Sequence, residues 1–422
     1  MKPRVLSGVH LTGWGAYAPS LILTNAGLER MVETSDEWIA SRTGIRERRI
    51  AGPNETTASM GAIAGLRAIA TAGLQPEDID LILVGTLTPD YPLPSAAVLV
   101  KEAIGNTGAA AMDLAAACSG FVYGYAMAHA YLSSGLGKHA LVIGSETMSR
   151  CTDFADRATC VLFGDGAGAA VLSASDEPGG TLGMELTTDT AATYSIWIPA
   201  GGATRPANEA TVAAREHYMR MKGGETFKLA VRKLTATTVR ALENAGLALE
   251  DVDLVVPHQA NSRIIEATAR ALGFPMEKVF LNIHRYGNTS AASVPIALSE
   301  AVEEGRIHKG DRVVLVAFGA GGTAGAVALE WTADPADRLR SEQSRPQDIR
   351  ILDPGIEPVN PLPPALEWLL KEAPADAGNG HRPGLDARST TTISDAAVSD
   401  AAVSDATVSG AGRSATVTRP EP

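Results

Sequence analysis

Residues 72–85 read AGLQPEDIDLILVG and residues 245–258 read AGLALEDVDLVVPH, one passage written twice at a spacing of 173 residues. The same spacing lays Ala140–Gly144 on Val313–Ala317, two apolar runs of strand length preceded by basic residues. Gly164–Leu172 resembles Gly319–Leu329 once a small gap is allowed. A repeat of this length means two copies of one supersecondary unit, and it constrains the fold before any single motif does. Within each copy, helical periodicity (62–72, 231–245) is followed by an uninterrupted apolar run (Leu81–Val84, Leu254–Val256). Such runs are strands buried on both faces, so the expected class is α/β, with sheets covered by helices. Ligand-contacting residues then belong on loops beyond strand ends, and equivalent loops of the two copies should meet at the seam.

Three residues fall at that seam. Cys118 lies between small residues in Asp113–Phe121, where an alanine-rich run ends and a helical pattern begins. A thiol at a helix start is expected to have a lowered pKa and a larger share of the attacking thiolate. His258 directly follows the second copy's strand, and Asn288 lies in the turn Tyr286–Ser290. The repeat carries Cys118 onto Ala291, three positions from Asn288. A nucleophile beside an imidazole and an uncharged amide suits chemistry in which negative charge grows on a carbonyl oxygen. Taken singly, the same residues also read as a buried cysteine, a structural histidine and a turn asparagine.

A formal net charge of -12 over 422 residues argues against a chain-wide nucleic-acid footprint. No run reaches membrane-spanning length and the N-terminus lacks the apolar core of a signal peptide, so a cytoplasmic protein with no membrane partner is expected. Cys118, Cys151 and Cys160 have neither metal-ligand nor disulfide-framework spacing. After Trp331 the text turns rich in Pro and Gly, then repeats SDAAV-like fives from Ser394. Too few large apolar groups remain to offset ordering entropy, so residues 333–422 read as a mostly disordered tail. Leu366–Lys371 stands out there; a passing apolar cluster is favoured over an amphipathic turn that docks.

Asp113–Phe121, Pro257–Asn261 and Gly287–Pro295 resemble the Cys, His and Asn motifs of β-ketoacyl-acyl carrier protein synthase III, of the thiolase superfamily. Thr34–Arg46, Phe163–Ala169 and Phe318–Gly322 extend the likeness over roughly residues 1 to 332. The resemblance implies a five-layered αβαβα fold with halves 1–178 and 179–332, a homodimer, and decarboxylative condensation of an acyl-CoA with malonyl-acyl carrier protein. No cofactor is implied, acyl-CoA being a substrate. By the same resemblance Cys118 is the nucleophile, backbone N–H groups of Cys118 and Ala320 hold an oxyanion, and His258 and Asn288 serve the enolate. Trp38 and Arg157 would sandwich adenine, Arg42 would lie beside the nucleotide, and Gly223 and Asn261 would line the pantetheine arm. Lys228, Arg263 and Arg270 would form a local basic patch for the acidic carrier.

The chain departs from the family's best-known pattern at Ala320 (a glycine elsewhere), Gly224 (an asparagine), Ala271 (a basic residue) and Leu93. At the last, a partner-subunit phenylalanine closes the acyl pocket of acetyl-specific members; the smaller leucine implies room for larger starters. Two alternatives stay open on the residues alone. One is a thiolase-fold enzyme of secondary metabolism with a different acceptor. The other is a nucleotide-binding oxidoreductase, since Val313–Phe318 runs into Gly319–Gly322, although Ala326–Trp331 reads as a strand where a dinucleotide loop needs a helix.

Overall fold

The structure is a computed structural model that describes residues 8–106, 108–334 and 362–372. Two sheets carry it. In the first, β1 (Val9–Tyr17), β7 (Asp165–Ala174), β6 (His139–Thr147), β4 (Leu81–Gly85) and β5 (Ala110–Leu114) lie in that order. In the second the order is β11 (Leu254–Pro257), β12 (Arg312–Phe318), β13 (Thr323–Glu330) and β8 (Gly180–Thr188). Two short pairs complete the strands: β2 (Leu21–Thr24) with β3 (Glu47–Ile50), and β9 (Ile196–Trp197) with β10 (Arg220–Met221).

Helices cover both sheets on both faces. Between the sheets lie α5 (Gly120–Ser133), buried on most of its circumference with Met127 and Ala130 exposed on the remaining side, and α10 (Ser293–Glu303), whose buried residues run all around. A helix apolar on every side must be enclosed. Their Phe121, Tyr125, Val294 and Leu298 pack with Val142, Leu172, Leu315 and Val327 from the two sheets. On the outer face of the first sheet lie α3 (Thr57–Ala72) and α4 (Ala96–Ala103), where Met60, Ala64 and Val100 meet Leu141 and Ile143. On the outer face of the second lie α7 (Gly223–Ala245) and α8 (Ser262–Leu272), burying Leu234, Leu242 and Ile265 against Val314 and Val316. The result is the two α/β halves that the repeat predicted, in the five-layered αβαβα arrangement that the resemblance implied.

The 173-residue spacing holds for the central elements: β4 maps onto β11, β6 onto β12, and α5 onto α10. It ends at β5. Its counterpart would fall near α9 (Ile283–Tyr286), so the second sheet has four strands, and β5 is an edge with Ala110 and Met112 exposed. Smaller helices α1 (Asn25–Glu29) and α2 (Asp36–Thr43) pack beside the β2–β3 pair, and α6 (Glu209–Ala213) lies in the long connection to α7.

One expectation needs correction. The apolar island near the C-terminus is not a passing cluster: residues 364–366 form a 3₁₀ turn, Trp368–Glu372 form α11, and Leu362, Leu366 and Leu369 are buried against the β2–β3 and α1–α2 region. Leucines spaced three and four apart share one face of such a turn, and here that face finds an apolar partner. The rest of the expected tail, 335–361 and 373–422, lies outside the described residues.

Candidate active site

Cys118 sits on a tight 3₁₀ turn, Ala117–Ser119, rather than on the first residue of α5, which begins at Gly120. Ala117 takes a left-handed φ of 47°. Its repeat mate is Ser290, with φ 50°, opening the equivalent 3₁₀ turn Ser290–Ala292 before α10. Each half therefore drives a strained elbow into the seam, a conformation costing roughly 1–2 kcal/mol per residue. The first elbow carries the thiol and the second follows Asn288. They are in contact: a Cβ built on Gly120 would lie 3.2 Å from the Ala291 Cβ. Gly144 on β6 permits the approach, since a Cβ there would come within 2.2 Å of the Ala291 carbonyl oxygen. The Cys118 elbow is also tied to β13, with Thr323 Oγ1 donating to the Ala116 carbonyl (2.9 Å) and Ser119 Oγ donating to the Thr323 carbonyl (3.1 Å).

The helix-start expectation for the thiol pKa is reversed. Burial pushes Cys118 up to about 11, and Glu146 adds to the rise. Opposing it are the Ser290 hydroxyl and the backbone N–H groups of Cys118 and Ala320, which favour the thiolate. At neutral pH such a group is a thiol, and the donors that would hold an oxyanion are already turned toward the sulfur.

His258, at the end of β11, is buried and held neutral, its pKa pushed down by burial to about 3. Its backbone N–H donates to Val316 across the strand pair (2.8 Å). Its Nδ1 is 2.6 Å from Ser293 Oγ, at the start of α10. The Gln259 N–H donates to the same hydroxyl oxygen (3.3 Å), which leaves the hydroxyl hydrogen free to be given to Nδ1. Donation in that sense goes with the tautomer that carries hydrogen on Nε2, which makes Nε2 the donor open to a substrate.

Asn288 is fixed by the opposite half of the chain. Its N–H donates to the Leu162 carbonyl (2.8 Å), and its carbonyl accepts from the Gly164 N–H (3.1 Å). Its side-chain Oδ1 accepts from the Ser290 N–H (2.9 Å), which leaves the Nδ2 amide as donor. Both neutral side chains thus have their acceptor atoms occupied and their donor atoms available.

The other expected positions are placed as follows. Trp38, at the third position of α2, has the Arg157 guanidinium 4.2 Å from its ring centroid and that of Arg42 at 5.1 Å. Arg157 therefore rests directly on Trp38, whereas an inserted base would need roughly 7 Å between the layers, two carbon contact distances. Asn261 caps α8, its Oδ1 accepting from the Arg263 N–H (2.9 Å) and its Nδ2 donating to the Arg42 carbonyl (3.0 Å). Gly223 begins α7 at the surface, and Lys228, Arg263 and Arg270 are exposed on the packed pair α7 and α8. Leu93 is 86% exposed in the single chain.

Sequence reasoning did not single out Ser290, Ser293 or Glu146. The serines lie inside the Gly287–Pro295 motif, and their signal was the repeat itself, which sets Ser290 opposite Ala117. Glu146 had a fainter signal, a carboxylate closing an apolar strand. It is fully buried, and its Oε2 accepts from Thr86 Oγ1, Thr88 Oγ1 and the Leu87 and Thr88 N–H groups. Burial raises its pKa above the usual carboxylate range.

Paired α/β halves with a cysteine elbow at their seam define a thiolase-like acyltransferase. Residues 112–190 match the family model for 3-oxoacyl-(acyl-carrier-protein) synthase III, and residues 242–331 match the model for its C-terminal part. A β-ketoacyl-(acyl-carrier-protein) synthase III of Symbiobacterium thermophilum is 52% identical over 76% of this chain and 98% of its own length. The crystal structure of the synthase III from Aquifex aeolicus superposes with a TM-score of 0.71 at 46% identity, covering 77% of this chain and all of that one. A priming β-ketosynthase from a polyketide biosynthetic pathway gives 0.73 at 35% identity, over 79% of this chain and 99% of that one. The chain belongs to the 3-oxoacyl-acyl carrier protein synthase III family. Among the described residues, no helix is long and apolar enough to cross a membrane.

Proposed function

We propose that this enzyme condenses an acyl-CoA starter with malonyl-acyl carrier protein to give a 3-oxoacyl-acyl carrier protein, initiating fatty acid synthesis. The observation that carries the reading is the pair of neutral donors, His258 Nε2–H and Asn288 Nδ2–H, each with its other polar atom already engaged. Cys118 Sγ attacks the acyl-CoA carbonyl and the C–S bond to CoA breaks. The thiol proton leaves on the CoA sulfur, while N–H groups of Cys118 and Ala320 hold the oxyanion. The malonyl thioester then loses CO₂, and the freed electron pair forms an enolate whose oxygen takes hydrogen bonds from His258 and Asn288. Its carbon attacks the Cys118 thioester, releasing the 3-oxoacyl product and the cysteine sulfur as a thiolate, which takes one proton from water to restore the thiol. Every electron pair comes from substrate or Cys118, so the reaction balances without a cofactor.

Trp38, Arg157 and Arg42 are assigned to the CoA nucleotide, Gly223 and Asn261 to the pantetheine arm, and exposed Lys228, Arg263 and Arg270 to the carrier. A homodimer is part of this reading, supported by the unpaired edge of β5 and by exposed Leu93, which a second copy would cover and seat in the acyl pocket. The likeness to a priming ketosynthase of polyketide synthesis favours a second reading, in which the same condensation starts a polyketide.

Intact-protein mass spectrometry tests both steps. Wild-type enzyme should gain the acyl mass on Cys118 from acyl-CoA and lose it to malonyl-acyl carrier protein. The Asn288→Asp variant, with an anion facing the enolate, should acylate but discharge at least about 10²-fold more slowly. Discharge at the wild-type rate would refute the donor role.

A further inference from the structure

The docked segment after the core sits where the family's own architecture stops. The Symbiobacterium relative is exhausted by a match of 323 residues, 98% of its length, and the C-terminal family model ends at residue 331. Leu362, Leu366 and Leu369 lie beyond that limit, yet they are 1%, 0% and 6% exposed. They share one apolar cluster with Leu23, Leu28, Ile39, Phe154 and Cys160.

That cluster backs both sides of the Trp38–Arg157 stack. Ile39 follows Trp38 on α2 and is fully buried in it, while Trp38 itself packs on its margin. Cys160, also in it, donates its N–H to the Asp156 carbonyl (2.9 Å) and so closes the turn carrying Arg157. A second set of contacts reaches α2 through α1. The Trp368 ring lies against Gly27, where an added Cβ would be 2.9 Å from the indole, and Arg30 covers the same ring with its guanidinium carbon at 4.1 Å. Arg30 Nη1 also pairs with Glu372 (2.9 Å). Next to Arg30, Glu29 Oε1 accepts from the Asp36 N–H (2.7 Å), the first residue of α2, two positions before Trp38.

We propose that residues 362–372 are a positioning strap for the nucleotide end of the acyl-CoA donor, holding the α1–α2 pair so that Trp38 is a fixed jaw against which Arg157 opens. The proposal rests on the assignment of Trp38 and Arg157 to adenine. With Arg157 resting on Trp38 at 4.2 Å, a base can enter only if one layer moves. A strap bound to α1 and to the floor beneath Ile39 keeps the tryptophan from being that layer. Residues of the strap act through Trp38 and are positioning residues, with no part in the chemistry at Cys118.

The test uses the full chain with Leu366→Asp, which places a carboxylate in the apolar floor, and the milder Trp368→Ala, which removes the contacts to Gly27 and Arg30, the indole N–H bond to the Ala365 carbonyl (2.9 Å) and the ring's packing at the margin of the floor. Each is assayed with acyl-CoA and with the acyl-N-acetylcysteamine thioester, a donor without a nucleotide. Losing a preorganised jaw should raise KM for acyl-CoA on the order of tenfold and leave kcat within about twofold, with the nucleotide-free donor unaffected. Neither variant raising KM for acyl-CoA, or both donors worsening in parallel, would overturn the proposal; should Leu366→Asp fail to fold, Trp368→Ala decides alone. Trp38→Ala separates the two readings. If it leaves KM for acyl-CoA unchanged, the adenine assignment fails and the strap role with it; if it raises KM selectively while strap variants are silent, only the strap role fails.

Discussion

Ser293 should control which nitrogen of His258 carries the proton, and Ser293→Ala isolates that role. The hydroxyl is 2.6 Å from His258 Nδ1 and also accepts from the Gln259 N–H at 3.3 Å. Removing it leaves a ring nitrogen and a backbone N–H buried without that partner, at a cost to stability of about 1–3 kcal/mol. It also frees the imidazole to carry its hydrogen on Nδ1, which would turn a lone pair instead of a donor toward the enolate oxygen. One of two enolate donors is then lost for much of the population. Loss of one oxyanion-type donor lowers turnover by about 10²–10³-fold, so a partial tautomer shift should lower kcat by roughly 10–100-fold. Cys118 acylation draws on the backbone donors of Cys118 and Ala320 and should change by less than about threefold. Acylation can be followed by intact mass and decarboxylation by CO₂ release from malonyl-acyl carrier protein, with ¹⁵N shifts of the His258 ring reporting the tautomer. A variant that loses thermal stability while decarboxylating normally would refute the assignment of the tautomer to Ser293.

Two further outcomes follow from burial and exposure. His258 falls from an ordinary 6.5 to about 3 in the folded chain, so between these values the unfolded state binds a proton that the native state refuses. This contribution to stability is complete above pH 6.5 and is lost as pH falls, by roughly 2 kcal/mol at pH 5. His258→Gln should flatten the acid side of a Tm-against-pH curve, and an unchanged slope would contradict it. Leu93→Phe should shift starter choice toward acetyl-CoA by restoring a bulkier closure of the acyl pocket. Unchanged ratios of kcat/KM across two- to five-carbon acyl-CoAs would show that residue 93 does not bound the pocket.

Much of the molecule could be read from the order of residues because periodicity is a local property. Leu81–Val84 and Leu254–Val256 are strands because continuous apolar runs need cover on both faces, and the repeat predicted that Cys118 and the Asn288 turn would occupy matching places. It could not foretell where the match ends. Residues near Ile283 form a short helix where the first half has β5, and the exposed edge of β5 supports pairing with a second copy.

What the sequence determined alone was the set of elements and their duplication, carried by spacing along one dimension, and it nominated the reacting groups through its motifs. Three matters were left to tertiary structure. A helix start suggested an acidic thiol, but desolvation outweighs the nearby donors and pushes the thiol pKa up. The usable nitrogen of His258 depends on a hydroxyl from another helix, Ser293, brought to it by the packing of α10 beneath β11. Leu362, Leu366 and Leu369 were an island whose composition fits a linker; they dock because the surface that accepts them is assembled from residues distant in the chain, from Leu21 to Ile283. Burial, hydrogen-bond partners and docking are properties of neighbours in space, and only the folded chain supplies them.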